Sequence, residues 1–185
     1  MRLFVLSAFA GLFVVVLTGC ASTATPTVTP GSDLESPPLA LSATEPQETE
    51  QFLSVINEYR ELRDLGALTI DPSLTKVAEW MANDMATKNY FSHTDSLGRD
   101  SFRRMSDMGY DFNVWKGENL LAGAAMAQEA FTLWKNSPGH NANMLNPNFT
   151  VIGIARAYNA TLFYGWYWAT EFGGVSSSQN NTGRN

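Results

Sequence analysis

The chain contains one cysteine, Cys20, so no disulfide can form within it. Whatever folds downstream must hold together through apolar burial alone. The residues able to build such a core are confined to one stretch: all five Trp and all six Tyr lie between residues 47 and 174. On either side, residues 20–46 are rich in Thr, Ser, Pro and Ala, residues 175–185 in Ser and Asn, and neither holds an aromatic. Such compositions cannot offset the entropy of ordering a chain. One domain is therefore expected at 47–174, about 125 residues and of ordinary size, between a disordered tether and a disordered tail.

The start of the chain explains where the cysteine stands. Arg2 precedes an apolar run from Leu3 to Leu17, followed by Thr18-Gly19-Cys20. A short basic start, an apolar core and small residues before a cut site describe a secretory signal over residues 1–19. The run is shorter than the ~20 residues that a membrane-spanning helix needs. Leu17-Thr18-Gly19-Cys20 resembles a bacterial lipobox, whose cysteine becomes the acylated first residue of the mature chain. On this reading, acyl chains on Cys20 anchor the protein to a membrane of the bacterial cell envelope without spanning it, and residues 20–46 hold the domain off the surface. Removing residues 1–19 takes away Arg2 and no acidic residue, which moves the net charge from −6 to −7. That charge argues against nucleic acid as a partner.

Periodicity supplies the elements of the domain. Phe52, Ile56, Tyr59, Leu62 and Leu65 recur at three- and four-residue spacings, predicting a helix over 49–65 that Gly66 stops. Asp71-Pro72-Ser73 opens a second helix with Asp71 as N-cap, a buried stripe of Leu74, Val77, Ala78, Met81 and Met85, and an end near Tyr90. A third runs over 100–108, carries Phe102 and Met105 and ends at Gly109, and a fourth runs over 125–135 with Met126, Ala130, Phe131 and Trp134 inward. Dense β-branched and aromatic residues then predict strands at 150–158 and 162–171, joined by a turn near Asn159-Ala160, with a further strand near 114–121. Helices first and an antiparallel sheet last indicate an α+β domain with helices on both sheet faces.

Three polar segments stand outside this pattern: Tyr90-Phe91-Ser92-His93-Thr94, Gly117-Glu118-Asn119-Leu120-Leu121, and Asn136 to Pro147 with His140. His93 and His140 are the only histidines. Taken singly, a histidine in a loop and a glutamate after glycine are ordinary solvated groups, and their spacing matches no local metal motif. Brought together, two imidazoles and a carboxylate suit a zinc-like ion or acid–base chemistry. They could equally close hydrogen bonds that only specify the fold.

Taken in order, the motifs resemble the CAP superfamily, or SCP domain, of cysteine-rich secretory, antigen-five and pathogenesis-related proteins. They are Asn57-x-x-Arg60 with Leu65-x-x-Leu68, Leu74 to Trp80-Met81-Ala82, and Phe91-Ser92-His93. Then come Gly117-Glu118-Asn119-Leu120, Trp134-x-x-Ser137-Pro138-Gly139-His140-x-x-Asn143-Met144-Leu145, Ile152-Gly153-Ile154-Ala155 and Tyr167-Trp168-Ala169-Thr170-x-Phe172-Gly173. The resemblance implies a three-layer α-β-α sandwich with a small antiparallel sheet, and a cavity lined by two His and two Glu. Carried over by motif, these are His93, Glu118 and His140, while the second glutamate's place is taken by Ser137; Glu129, earlier on the fourth helix, is a weaker substitute. Asn119, Trp134 and Asn143 are the structural residues of the motifs. The resemblance further implies binding of a lipid, of a divalent metal such as zinc, or of a cell-envelope partner. Hydrolase chemistry using Ser92 or Ser137, and a purely structural cavity, remain alternatives.

Overall fold

A computed structural model describes residues 45–111 and 115–174. The signal, Cys20, nearly all of the tether and the tail 175–185 lie outside the described residues. Among the described residues, five helices and four strands follow in chain order: α1 (Glu45–Glu61), β1 (Thr69–Ile70), α2 (Pro72–Lys88), α3 (Ser101–Asp107), β2 (Lys116–Ala122), α4 (Ala127–Lys135), α5 (Pro138–Met144), β3 (Val151–Tyr158) and β4 (Trp166–Gly173). The strands form one sheet in the order β1-β3-β4-β2. β4 pairs antiparallel with both β3 and β2, whereas β1 runs parallel to β3. The sheet is thus mixed rather than antiparallel throughout, because a two-residue strand has no periodicity to read.

Side chains alternate across the sheet, and each face meets its own helices. Ile152, Ile154, Trp168 and Phe172 pack with Phe52, Ile56 and Trp134 of α1 and α4. Ala155, Ala157, Leu120, Tyr167 and Ala169 pack with Ala78, Met81, Ala82 and Met85 of α2. This is the expected α-β-α sandwich, with both faces of β3 and β4 covered. Close approach of α2 requires Gly153, where a Cβ would lie 2.1 Å from the Leu74 carbonyl carbon.

The helix boundaries follow from their caps. Asp71 accepts hydrogen bonds from the Ser73 and Leu74 amides at 2.8 and 2.9 Å, and Pro72 sits in the first turn. Asn89 ends α2 in the left-handed region, which Asn tolerates. α1 starts four residues before its predicted onset and ends at Glu61, so Leu62 is 81% exposed rather than inward. The cause is Arg60, which turns into the interior and donates to the carbonyls of Gly66, Met144, Asn146 and Phe149 at 2.8–3.1 Å. Asp64 then breaks the helix with φ 57°.

One further inward assignment is corrected. Met126 is 58% exposed, because α4 begins at Ala127 and Met126 is its N-cap residue rather than part of its buried stripe. The link between β3 and β4 spans residues 159–165, longer than the expected tight turn. The Asn159 amide donates to Gly165 O at 2.8 Å, the Asn159 side chain accepts from the Thr161 amide and hydroxyl, and Gly165 supplies the positive φ. β4 therefore starts at Trp166.

Candidate functional site

The candidate residues gather around β2, which ends the sheet. Consecutive residues of an edge strand face opposite ways, so Glu118 points toward α2 and α3 while Asn119 points toward α4 and α5. One carboxylate and one amide thereby organise the two flanks of a single site.

On the Glu118 flank, His93 Nδ1 lies 2.6 Å from Glu118 Oε1, and Arg104 Nη2 contacts Glu118 Oε2. Arg104 is fully buried and also donates to the carbonyls of His93 and Arg99 at 3.2 and 3.3 Å. A single guanidinium therefore holds both the carboxylate and the loop that carries the histidine. Two aspartates fix the rest of that loop. Asp95 accepts from the Leu97 and Arg99 amides, the Arg99 side chain and Trp80 Nε1. Asp84 accepts from the Tyr90 hydroxyl and from the Ser96 amide and hydroxyl. Burial alone would raise the Asp84 carboxyl, but hydrogen bonds from Tyr90, Ser96 and Lys88 outweigh it and bring the group down to about 2.

Glu118 has a partner that the motifs pass over. In the β2–β4 register it stands directly opposite Glu171, and both side chains are buried, at 2% and 0% exposure. Among the described residues neither oxygen of Glu171 has a hydrogen-bond partner; its nearest cation is Arg104 Nη2, at an ion-pair distance of 3.6 Å. Burial, then the charge of Glu118, pushes the Glu171 carboxyl well above the usual carboxylate range. Glu171 is accordingly biased toward its neutral, protonated form.

On the other flank, the Asn136–Pro147 stretch is mostly helix, contrary to its loop-like composition. Ser137 is the N-cap residue of α5, Pro138 opens the helix, and Met144 is fully buried. Asn119 Nδ2 donates to His140 O at 3.0 Å, and Asn143 Nδ2 donates to Asn119 Oδ1 at 2.8 Å and Glu118 O at 3.2 Å. Trp134 Nε1 donates to Leu120 O at 3.0 Å. These bonds close the free carbonyls of the edge strand and fix α5 against it, with the His140 ring 6.4 Å from the Trp134 ring centroid.

The two histidines are oppositely tuned. The hydrogen bond to Glu118 raises His93 above its ordinary value, with burial partly opposing it. Burial, then the charge of His93, lowers His140. The two rings therefore share one electrostatic environment, His93 favouring imidazolium and His140 neutral imidazole.

Ser137 is half-buried and makes no side-chain cap bond. Glu129 is exposed and accepts from the Ala125 amide at 3.1 Å, before the start of α4. Ser92 Oγ accepts from the Thr94 amide. Among the described residues neither serine is hydrogen-bonded to a histidine. Zinc centres take three or four protein donors, yet among the described residues no group of three His, Cys, Asp or Glu is placed to hold a metal ion. With both Glu118 oxygens engaged, the donors left are two imidazoles, which do not by themselves fit a resident zinc ion.

Arg104 and Glu171 were not found by sequence reasoning. Glu171 did leave a signal: it is a lone acid inside a strand that is largely apolar on both faces. Arg104 left none, because an arginine in a short polar helix looks solvated until its partner on β2 is known.

A family model described as CAP: Cysteine-rich secretory protein family matches residues 53–172. The chain is similar to YkwD of Bacillus subtilis, 33% identical over 152 residues, covering 82% of this chain and 55% of YkwD. It is also similar to the membrane protein YlbC of the same organism, 30% identical over 105 residues, covering 57% of this chain and 30% of YlbC. The chain thus spans about half or less of the length of these curated relatives. Among solved structures, an outer surface protein of Borrelia burgdorferi superposes with a TM-score of 0.64 at 25% identity, covering 70% of this chain and 94% of that one. An extracellular SCP-domain protein of Bacillus anthracis gives a TM-score of 0.62 at 28% identity, covering 70% and 41%.

Proposed function

Because the chain belongs to the CAP, or cysteine-rich secretory protein, family, we propose that it is an extracytoplasmic binding module, anchored through acylated Cys20, that captures a small ligand or cell-envelope partner at His93 and His140 without transforming it. The observation that carries this is the presentation of His93. Its side chain is 62% exposed, while the carboxylate behind it is 2% exposed and gripped by buried Arg104. With Nδ1 committed to Glu118, Nε2 faces outward as a fixed donor. An imidazolium so placed, beside neutral His140, suits a ligand bearing an acidic oxygen, such as a fatty-acid carboxylate. The extracytoplasmic location is supported by the similar proteins, one an outer surface protein and one extracellular.

The test is nitrogen-15 NMR of both imidazoles in the full chain during titration with palmitate and, separately, with zinc. The expected outcome is that palmitate moves His93 Nε2 and leaves Nδ1 hydrogen-bonded. A response to zinc alone would replace the acidic ligand with a metal, and silence toward both would remove the site. A hydrolase is the second reading, since His93 and Glu118 at 2.6 Å form the base-and-orienter half of a catalytic triad. It would displace the binding reading if a serine-reactive probe labelled Ser92 or Ser137 in the wild type but not in His93→Ala.

A further inference from the structure

The turn between β3 and β4 lies apart from this site. From Tyr158 to Trp166 the sequence YNATLFYGW holds no charged residue, in a chain of net charge −6. Its rings face water: Phe163 is 97% exposed, Tyr164 51% and Tyr158 41%. Met126, 58% exposed, belongs to the adjoining 123–126 segment. That segment is tied to the turn's flanks, since the Gly123 amide donates to Trp166 O at 2.9 Å and Arg156 Nη1 donates to Ala125 O at 2.6 Å. The rings are held outward by a built turn. Asn159 anchors it through the Ala86 carbonyl at 2.7 Å, and Phe163 packs edge-on against Tyr164 at 5.3 Å. A Phe held this far into water forgoes the burial that its ring would otherwise gain, and a clustered apolar patch of this kind marks an interaction surface.

A second observation says what covers it. Glu48 Oε2 accepts from the Ala127 amide at 2.6 Å, which places the first turn of α1 beside Met126. The chain therefore enters the domain beside Met126.

We propose that the tip formed by Tyr158, Phe163, Tyr164 and Met126 docks into the interfacial layer of the membrane that carries the Cys20 anchor. The inference rests on the anchoring part of the proposed function. Tyr at the rim with Phe and Met at the apex is the composition that membrane–water interfaces favour. The turn 158–166 carries no charge of its own and so lessens the repulsion that an acidic domain meets at anionic lipid, while Glu48 and Glu129 flank Met126 at the edge of the tip. About 25 residues separate Cys20 from Glu45, enough chain for the tip to reach the bilayer that holds an acylated Cys20 and for attachment to raise its local concentration there. A contact too weak to bind membranes alone is then populated. Docking also orients the site. Glu171 lies five residues along β4 from Trp166, about 17 Å at the strand rise, so Glu118 and His93 sit toward the end facing away from the lipid.

The test uses the full chain reconstituted in phosphatidylethanolamine–phosphatidylglycerol vesicles, with Phe163 replaced by the photocrosslinker p-benzoylphenylalanine. A control carries the same probe at Leu62, 81% exposed beyond the far end of α1. On illumination, mass analysis should show phospholipid adducts at position 163 at least several-fold above those at position 62. Tyr164→Ser with Met126→Ser should lower the adduct yield several-fold while leaving the unfolding midpoint unchanged. A chain that stays on vesicles through a carbonate wash, yet gives chain-to-chain adducts or none at position 163, overturns the docking alone. A chain that washes off overturns the anchoring and the docking together.

Discussion

Replacing Glu171 by Gln removes a charge problem without changing shape. Glu171 is fully buried, has no hydrogen-bond partner on either oxygen among the described residues, and faces Glu118 across the β2–β4 register. Its folded-state pKa is raised above the ordinary carboxylate value of 4.5, first by burial and then by Glu118. For an acid raised in this way the stability contribution is fully present below the unfolded pKa and is lost as pH rises through the folded one. Above pH 4.5 the unfolded chain ionises this residue while the native state keeps its proton, so native stability falls by about 1.4 kcal/mol per pH unit until the native group also ionises. Glutamine is isosteric with the neutral acid and does not titrate. Urea unfolding from pH 4.5 to 8.5 should therefore give near-equal stabilities for wild type and Glu171→Gln at the acid end. The variant should pull ahead steadily as pH rises above the ordinary carboxylate range. The His93 contribution falls over a higher window, above pH 6.5, so the divergence between pH 5 and 6 belongs to Glu171. Parallel curves across the range would refute the reasoning, because Glu171 would then titrate alike in both states.

Asp84→Asn tests the opposite sign. Asp84 is lowered from 3.8 to about 2, so its contribution, on the order of 2 kcal/mol, is present above pH 3.8 and lost as pH falls toward 2; the variant's unfolding curves should lose that acid limb. Arg60→Met leaves the carbonyls of Gly66, Met144, Asn146 and Phe149 without their donor, and at 1–3 kcal/mol for each buried group left unsatisfied it should cost at least ~3 kcal/mol in denaturant midpoints. Gly153→Ala drives a methyl to within 2.1 Å of the Leu74 backbone, so α2 must move off the sheet; a loss of ~3 kcal/mol or more, or failure to recover soluble protein, is expected in expression and thermal melts. Asn119→Ala releases the His140 carbonyl and Asn143, and hydrogen exchange of α5 amides should speed up by at least tenfold, equivalent to ~1.4 kcal/mol.

The chain's own chemistry determined the helices and the two long strands wherever a local device set them. Asp71 and Pro72 start α2 as read, and the aromatic run builds β3 and β4, because caps, periodicity and strand propensity act within a few residues. His93, Glu118 and His140 were singled out by the family's motifs, since taken singly each reads as an ordinary solvated group. Other outcomes depended on residues distant in sequence. α1 ends early because Arg60 is claimed by carbonyls more than eighty residues away. The Asn136–Pro147 stretch is held as helix because its His140 carbonyl and its Asn143 amide bond to Asn119 and Glu118 of β2, more than twenty residues away. The site's chemistry was decided at the same level. The register of β2 on β4 sets Glu171 opposite Glu118, and the packing of α3 delivers Arg104 between them. Ion pairs and shared protons depend on distances of a few ångströms, which only the completed fold fixes between residues so far apart in the chain.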